Sequence, residues 1–273
     1  MVYPYFRMKE EFFYILNERK INMLKQTLLA FTILGVAGTA AAADITNPFF
    51  LPESMHVNSI TSFDYTHGHV KQAGTSERLY NKTLTEQLQF GILNNLALIG
   101  QIDKEWNRSS FDGKSHNALD WEAGLAWNIL SCNTKLQLSS VYGQEAPGRT
   151  KGTYKYFDTE LKLGYQFKTF LPYISGSVVT PVAQTSRDNR WAYNTKIGLY
   201  QGACGVWSLD TGLVLGFDRA DHRRTLTAEA EASYYLASNV TLGVYGSYML
   251  NGKKEQRTDL YNKSVGARLR LYF

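Results

Sequence analysis

Ser264-Val265-Gly266-Ala267-Arg268-Leu269-Arg270-Leu271-Tyr272-Phe273 closes the 273-residue chain with unbroken alternation. Val265, Ala267, Leu269, Leu271 and Phe273 share one face of a strand, and Ser264, Gly266, Arg268, Arg270 and Tyr272 share the other. Successive strand side chains point to opposite faces, so this run must place an apolar face and a charged face in different surroundings. The same two-residue period recurs upstream. Trp207, Leu209, Thr211, Leu213, Leu215 and Phe217 alternate with Ser208, Asp210, Gly212, Val214, Gly216 and Asp218. Leu226 to Leu236 and Val240 to Tyr248 follow the same rule.

Further strands are expected near 55–66, 78–92, 96–106, 117–127, 134–143, 154–167, 171–182 and 190–201, which makes twelve with the four above. The connections alternate in length. Those at 93–95, 168–170, 202–205 and 237–239 are tight, whereas 67–77, 107–116, 144–153, 183–189, 219–225 and 251–257 are longer and more polar. An even count brings both termini to the tight-turn side. The segment 171–182 alternates poorly, since Ile174 and Val178 compete with Tyr173 and Val179 for the apolar face, so ten or fourteen strands stay open.

Beyond the leader, no apolar run reaches eighteen residues, so a helical span is excluded there. Apolar faces without a helix require a closed sheet, because only closure pairs every backbone group within lipid. Aromatics band at both strand ends: Phe63, Trp106, Tyr142, Trp191 and Phe217 at one, Phe90, Trp127, Tyr165, Trp207 and Tyr234 at the other. Amphipathic rings settle among headgroups, which gives a membrane barrel two such girdles. The expected fold class is therefore all-β, a transmembrane antiparallel up-and-down β-barrel. On the alternating strands and terminal Phe273, the chain resembles small Gram-negative outer-membrane barrels. It is loosely similar to the channels of aromatic-compound (phenol) degradation. The resemblance implies residence in the outer membrane with both termini periplasmic, contact with lipid and lipopolysaccharide, and recognition of Val265, Ala267, Leu269, Leu271 and Phe273 by the barrel-insertion machinery. A monomer is favoured.

The other end agrees with export. Lys25, the apolar run Leu28 to Ala37 and the small residues Ala40 to Ala43 form the n-region, h-region and cleavage pattern of a signal peptide. Residues 1–43 are assigned to that region and 44–273 to the barrel. Met1 to Asn22 carries Glu10, Glu11 and Glu18 ahead of the apolar run, which is either an upstream start-codon artefact with Met23 as initiator or an unusually long n-region. The segment Asp44 to Glu53, with two Pro and two Phe, either tucks into the periplasmic mouth or frays ahead of the first strand. Cys132 and Cys204 fall in separate periplasmic turns. Rim turns usually lie farther apart than a disulfide permits, which favours free thiols over a bond.

Projected inward, the alternation makes Glu122, Glu160, Lys162, Lys196, Asp210, Glu229, Glu231, Arg268 and Arg270 lumen-lining. Glu122, Lys162, Lys196, Asp210, Glu231 and Arg268 lie at similar depth and form a candidate charged layer. Such a layer is either a polar core holding a narrow barrel together or a water-filled constriction that selects solutes by charge and width. Asp120, Asp158, Glu160, Asp218 and Glu229 leave an acidic excess above it, which favours small polar or cationic solutes. Glu86 is the misfit: it shares its face with Leu84, Leu88, Phe90 and Ile92, so either a bulge near Thr85 turns it inward, the favoured reading, or it meets a partner subunit.

Formal charge is +5, from 29 basic and 24 acidic residues, but the basic ones are scattered singly, unlike a nucleic-acid footprint. Barrels of this size include a phospholipase with a His-x-Ser nucleophile strand, and no such triplet occurs here. Neither a phosphate-binding glycine loop nor a metal-ligand spacing is present. No catalytic residue, cofactor or metal is assigned. His67, His69 and His222 read as external-loop residues. The stretch Trp106 to Phe111 and the edge Arg219, Arg223 and Arg224 are candidate contacts for lipopolysaccharide phosphates or a ligand.

Overall fold

In the computed structural model, the described residues are 44–72, 75–109, 115–145, 154–182, 191–203, 206–218, 223–254 and 259–273. The signal-peptide reading of 1–43, Cys204 and His222 lie outside them. Twelve antiparallel strands close into a barrel in which each pairs with its sequence neighbours and β1 pairs with β12. They are β1 Val57–Gln72, β2 Thr75–Leu93, β3 Leu96–Ser109, β4 Ser115–Ser131, β5 Thr134–Glu145 and β6 Tyr154–Tyr165. Then come β7 Phe170–Pro181, β8 Ala192–Ala203, β9 Trp207–Asp218, β10 Arg223–Ala237, β11 Val240–Lys254 and β12 Asp259–Tyr272. Closure leaves no sheet edge, which is what a sheet surrounded by lipid requires.

The seam runs from Asn58 opposite Tyr272 to Lys71 opposite Asp259. β1 begins and β12 ends at the tight-turn side. Leu98, Ile102, Leu161, Ile197, Leu213, Leu242 and Val265 are exposed on the outer face. A soluble protein would bury such a surface; here it is the lipid-facing band. Ring pairs mark its two margins: Trp207 with Tyr234 at 4.7 Å on the tight-turn side, and Tyr142 with Phe157 at 5.5 Å on the other. The ambiguous seventh strand is settled by its burial, with Leu171, Tyr173 and Ser175 inward and Ile174 outward.

Several strands run further than their hydropathy indicates. β1 reaches Gln72 and β2 starts at Thr75, so His67 and His69 sit on a strand rather than in an external loop. β11 likewise extends to Lys254 and β12 starts at Asp259, within or beside the expected loop 251–257. Beyond the hydrocarbon, a paired strand needs no apolar face, so polarity there says nothing about where pairing stops.

The expected bulge at Thr85 is absent. β2 stays in register with β1 from Gln72–Thr75 to Val57–Phe90, and with β3 from Lys82 to Gly91. Glu86 therefore keeps its outward position, opposite Thr61 and Ile102. Two hydroxyls from β1 compensate it: Ser59 donates to one carboxylate oxygen at 2.9 Å and Thr61 to the other at 2.6 Å. The polar cluster is local, with Leu88 exposed beside it. A carboxyl in the lipid-facing band remains costly, so Glu86→Leu is expected to raise stability by about 1 kcal/mol in urea unfolding from lipid vesicles. An unchanged or lowered midpoint would show that the two hydroxyls compensate the carboxyl fully.

Candidate functional site

The residues ahead of β1 do not fray. Residues 44–53 run along the inner wall of the tight-turn mouth, from β8 and β10 round to β2, and carry both buried apolar clusters of the described residues. Phe49 packs with Leu171, Tyr173 and Tyr200, and Leu51 packs with Ala97 and Ala126. Ile45 is also buried. Burying such a side chain is worth about 1.5–3 kcal/mol, so three of them hold the segment firmly.

Polar contacts fix its course. The hydroxyls of Tyr200 and Tyr235 donate to Asp44 at 2.5 and 2.8 Å, and both lie 2.8 Å from the Thr46 hydroxyl. Lys162 donates to the Pro48 carbonyl at 3.4 Å, and Asn128 and Gln137 donate to that of Phe49 at 3.1 and 3.3 Å. At the exit, Met55 adopts a positive φ of 66° and its N–H donates to the Gly91 carbonyl. Gly91 is required there: a Cβ would lie 1.9 Å from the Glu53 carbonyl oxygen. Of the two sequence-level alternatives for this segment, the tucked one is the structure.

Above the segment lies a cavity of about 250 Å³, floored by Ile45, Thr46, Asn47, Pro48 and Phe50. Of the sequence-assigned lumen residues, Glu160, Lys162, Lys196, Asp210, Glu231, Arg268 and Arg270 line it. They form separate ion pairs rather than one ring. Lys162 meets Glu160 at 3.2 Å; Lys196 meets Asp210 at 3.5 Å and Glu229 at 3.4 Å. Glu231 takes both arginines, Arg268 and Arg270, each at 2.5 Å. Glu122 stands apart from this group, accepting from the Tyr156 hydroxyl at 2.6 Å. Of the six residues placed in one layer by depth, Lys162, Lys196, Asp210, Glu231 and Arg268 line this cavity and Glu122 does not. Strand tilt and stagger displace residues at equal distance from their turns to different places on the wall.

The opposite wall is acidic. Asp64, Asp103, Asp120, Glu122 and Asp158 lie on the inward faces of β1, β3, β4 and β6, and neutral donors serve Asp103, from Thr85 at 2.5 Å and Gln101 at 2.9 Å. Along β6–β12, Lys162, Lys196, Arg268 and Arg270 each have a carboxylate within 3.5 Å. Net negative charge therefore gathers on the β1–β6 side.

Tyrosines, missed at the sequence level, organise the lumen. Tyr173 lies over Gly198 directly across the strand pair, where a Cβ would meet its ring at 2.3 Å, and its hydroxyl reaches Asp210 at 2.9 Å. Tyr156 covers Gly143 in the same way. The signal is a Gly opposite an inward Tyr, and it becomes visible only with the register known. Cys132 is a free, exposed thiol, and no three His, Cys, Asp or Glu of the described residues are grouped to hold a metal.

Solved structures share this architecture. An outer-membrane channel of Pseudomonas putida F1 superposes with a TM-score of 0.64 at 13% identity, covering 85% of this chain and 100% of the channel. The fold is that of an outer-membrane β-barrel. The translocator domain of the autotransporter NalP from Neisseria meningitidis follows at 0.53 and 12% identity, covering 94% of this chain and 97% of that domain. The NanC porin gives 0.52 at 10% identity, covering 77% of this chain and 98% of the porin. At such identities the likeness is one of fold. No protein-family model matches the chain, and no curated protein matches it by sequence.

Proposed function

We propose that this barrel is a passive outer-membrane channel of a Gram-negative bacterium for small polar or cationic solutes, with both termini periplasmic. The observation that carries the reading is the uneven lumen: cations beside carboxylates along β6–β12, and an acidic wall on β1, β3, β4 and β6. A solute cation entering from outside meets a favourable wall, and Lys162, Lys196, Arg268 and Arg270 across from it each lie beside a carboxylate. The likeness to aromatic-compound channels would imply partly hydrophobic solutes, and a lumen with this many charged groups speaks for polar ones instead. The terminal run Val265 to Phe273 serves, in this reading, as the signal to the insertion machinery.

The test is single-channel conductance of the refolded barrel in planar bilayers under a salt gradient, with Arg268→Glu beside it. Reproducible steps are expected, with a reversal potential on the cation side that moves further that way in R268E. Silence from protein whose folding is confirmed by heat-modifiable gel migration would overturn the channel reading. A second reading then gains weight, a closed barrel of structural or ligand-binding role, favoured by the packing of Phe49 and Leu51 across the mouth.

A further inference from the structure

Outward-facing charge is as uneven as the inward-facing kind. The outer face carries Lys82, Lys104, Lys155, Arg224 and Lys263, all towards the end away from the tight turns, with the acid Glu86 nearer the tight turns; at the outer end of the β1–β12 seam Lys71 stands in register with Asp259. Three of the cations share one wall. Lys82 on β2 pairs with Tyr65 on β1 and Trp106 on β3; Lys104 lies two residues below Trp106, opposite Leu84; Lys263 on β12 faces His67, whose ring stacks on Tyr80 at 4.9 Å. With strands about 4.8 Å apart and about 3.4 Å per residue, Lys82 and Lys104 stand roughly 8 Å apart. Exposed apolar residues, Ile102 and Val265 among them, continue the wall towards the membrane interior.

We propose that the β12–β1–β2–β3 wall is a docking strip for the phosphorylated glucosamine headgroup of lipid A, with its acyl chains lying on the apolar surface beneath. Charge complementarity selects this occupant. Ammonium groups spaced across neighbouring strands suit a headgroup carrying two separated phosphates, and aromatic rings beside them suit the level where sugar meets acyl chain. Lysines on a barrel also snorkel to headgroups without forming a site, and Lys155 on β6 and Arg224 on β10, the latter in register with Lys253 on β11, supply the contrast as cations on other walls. The strip is independent of conduction and shares with the channel reading only the orientation of the barrel.

Native mass spectrometry of the detergent-purified protein tests it, with bisphosphorylated lipid A and the same lipid after enzymatic removal of both phosphates as probes. The wild type is expected to retain the phosphorylated form about tenfold better, as charge-assisted contacts would give. The triple variant K82Q/K104Q/K263Q should lose that preference and K155Q/R224Q should keep it. Equal retention of the two lipids by the wild type would overturn the strip without any variant. An equal loss in both variants would reduce it to generic snorkelling and overturn it as well.

Discussion

Deleting Ile45–Leu51 is expected to raise the single-channel conductance of the refolded barrel several-fold. The segment occupies the tight-turn mouth with three buried apolar side chains, Ile45, Phe49 and Leu51, and floors the cavity beneath the charged groups. Its removal leaves Tyr200 and Tyr235, now anchored to Asp44 and Thr46, facing water, where both hydroxyls remain hydrogen-bonded. Barrel folding should survive, because strand pairing and the lipid-facing band do not involve the segment. The loss in stability should be a few kcal/mol, about 1.5–3 for each apolar anchor less what solvent returns. Planar-bilayer recordings decide the matter. Conductance equal to that of the intact chain would mean that the segment already leaves the mouth under recording conditions; silence in both would assign the block to the charged groups above.

Glu231→Gln is expected to cost about 3 kcal/mol in urea unfolding from lipid vesicles, since it strands two guanidinium groups in a partly desolvated lumen. Arg268 and Arg270 both rest on this one carboxylate, and Arg270 is 9% exposed. The variant also leaves two positive charges beside the cavity, so its reversal potential should move towards anions. Replacing all three residues with apolar ones, E231L/R268M/R270M, should cost less than the single change, because the penalty comes from orphaned charge rather than from losing the pair. A single variant as stable as the wild type would show that water solvates both guanidinium groups.

Glu86 shows what sequence reading can misjudge. Its neighbours Leu84, Leu88 and Phe90 mark its face as lipid-facing, and the cost of a carboxyl there argues for a bulge that the register does not contain. The structure avoids part of that cost differently, through Ser59 and Thr61, which are twenty-five or more residues away in the chain. The tyrosine–glycine pairs and the division of the charged layer into ion pairs fail to show in the sequence for the same reason. Each depends on which residue of the next strand stands opposite, and on how far tilt has carried it round the wall.

The period of two by itself determined the all-β class, the outward apolar face and the inward residues Lys196, Asp210, Glu231, Arg268 and Arg270, while the count of twelve waited on the pairing of the seventh strand. It could do so because lipid outside and polar groups inside impose opposite demands on alternate positions, leaving a signal in every strand. Only the tertiary structure decided where the paired strands end, that Glu231 joins two arginines, and that residues 44–53 pack along the inner wall of the mouth. Backbone pairing beyond the membrane needs no apolar face, and partners brought together by closure are remote in sequence. An irregular segment such as Asp44–Glu53, having no period, is placed only by the surface it finds.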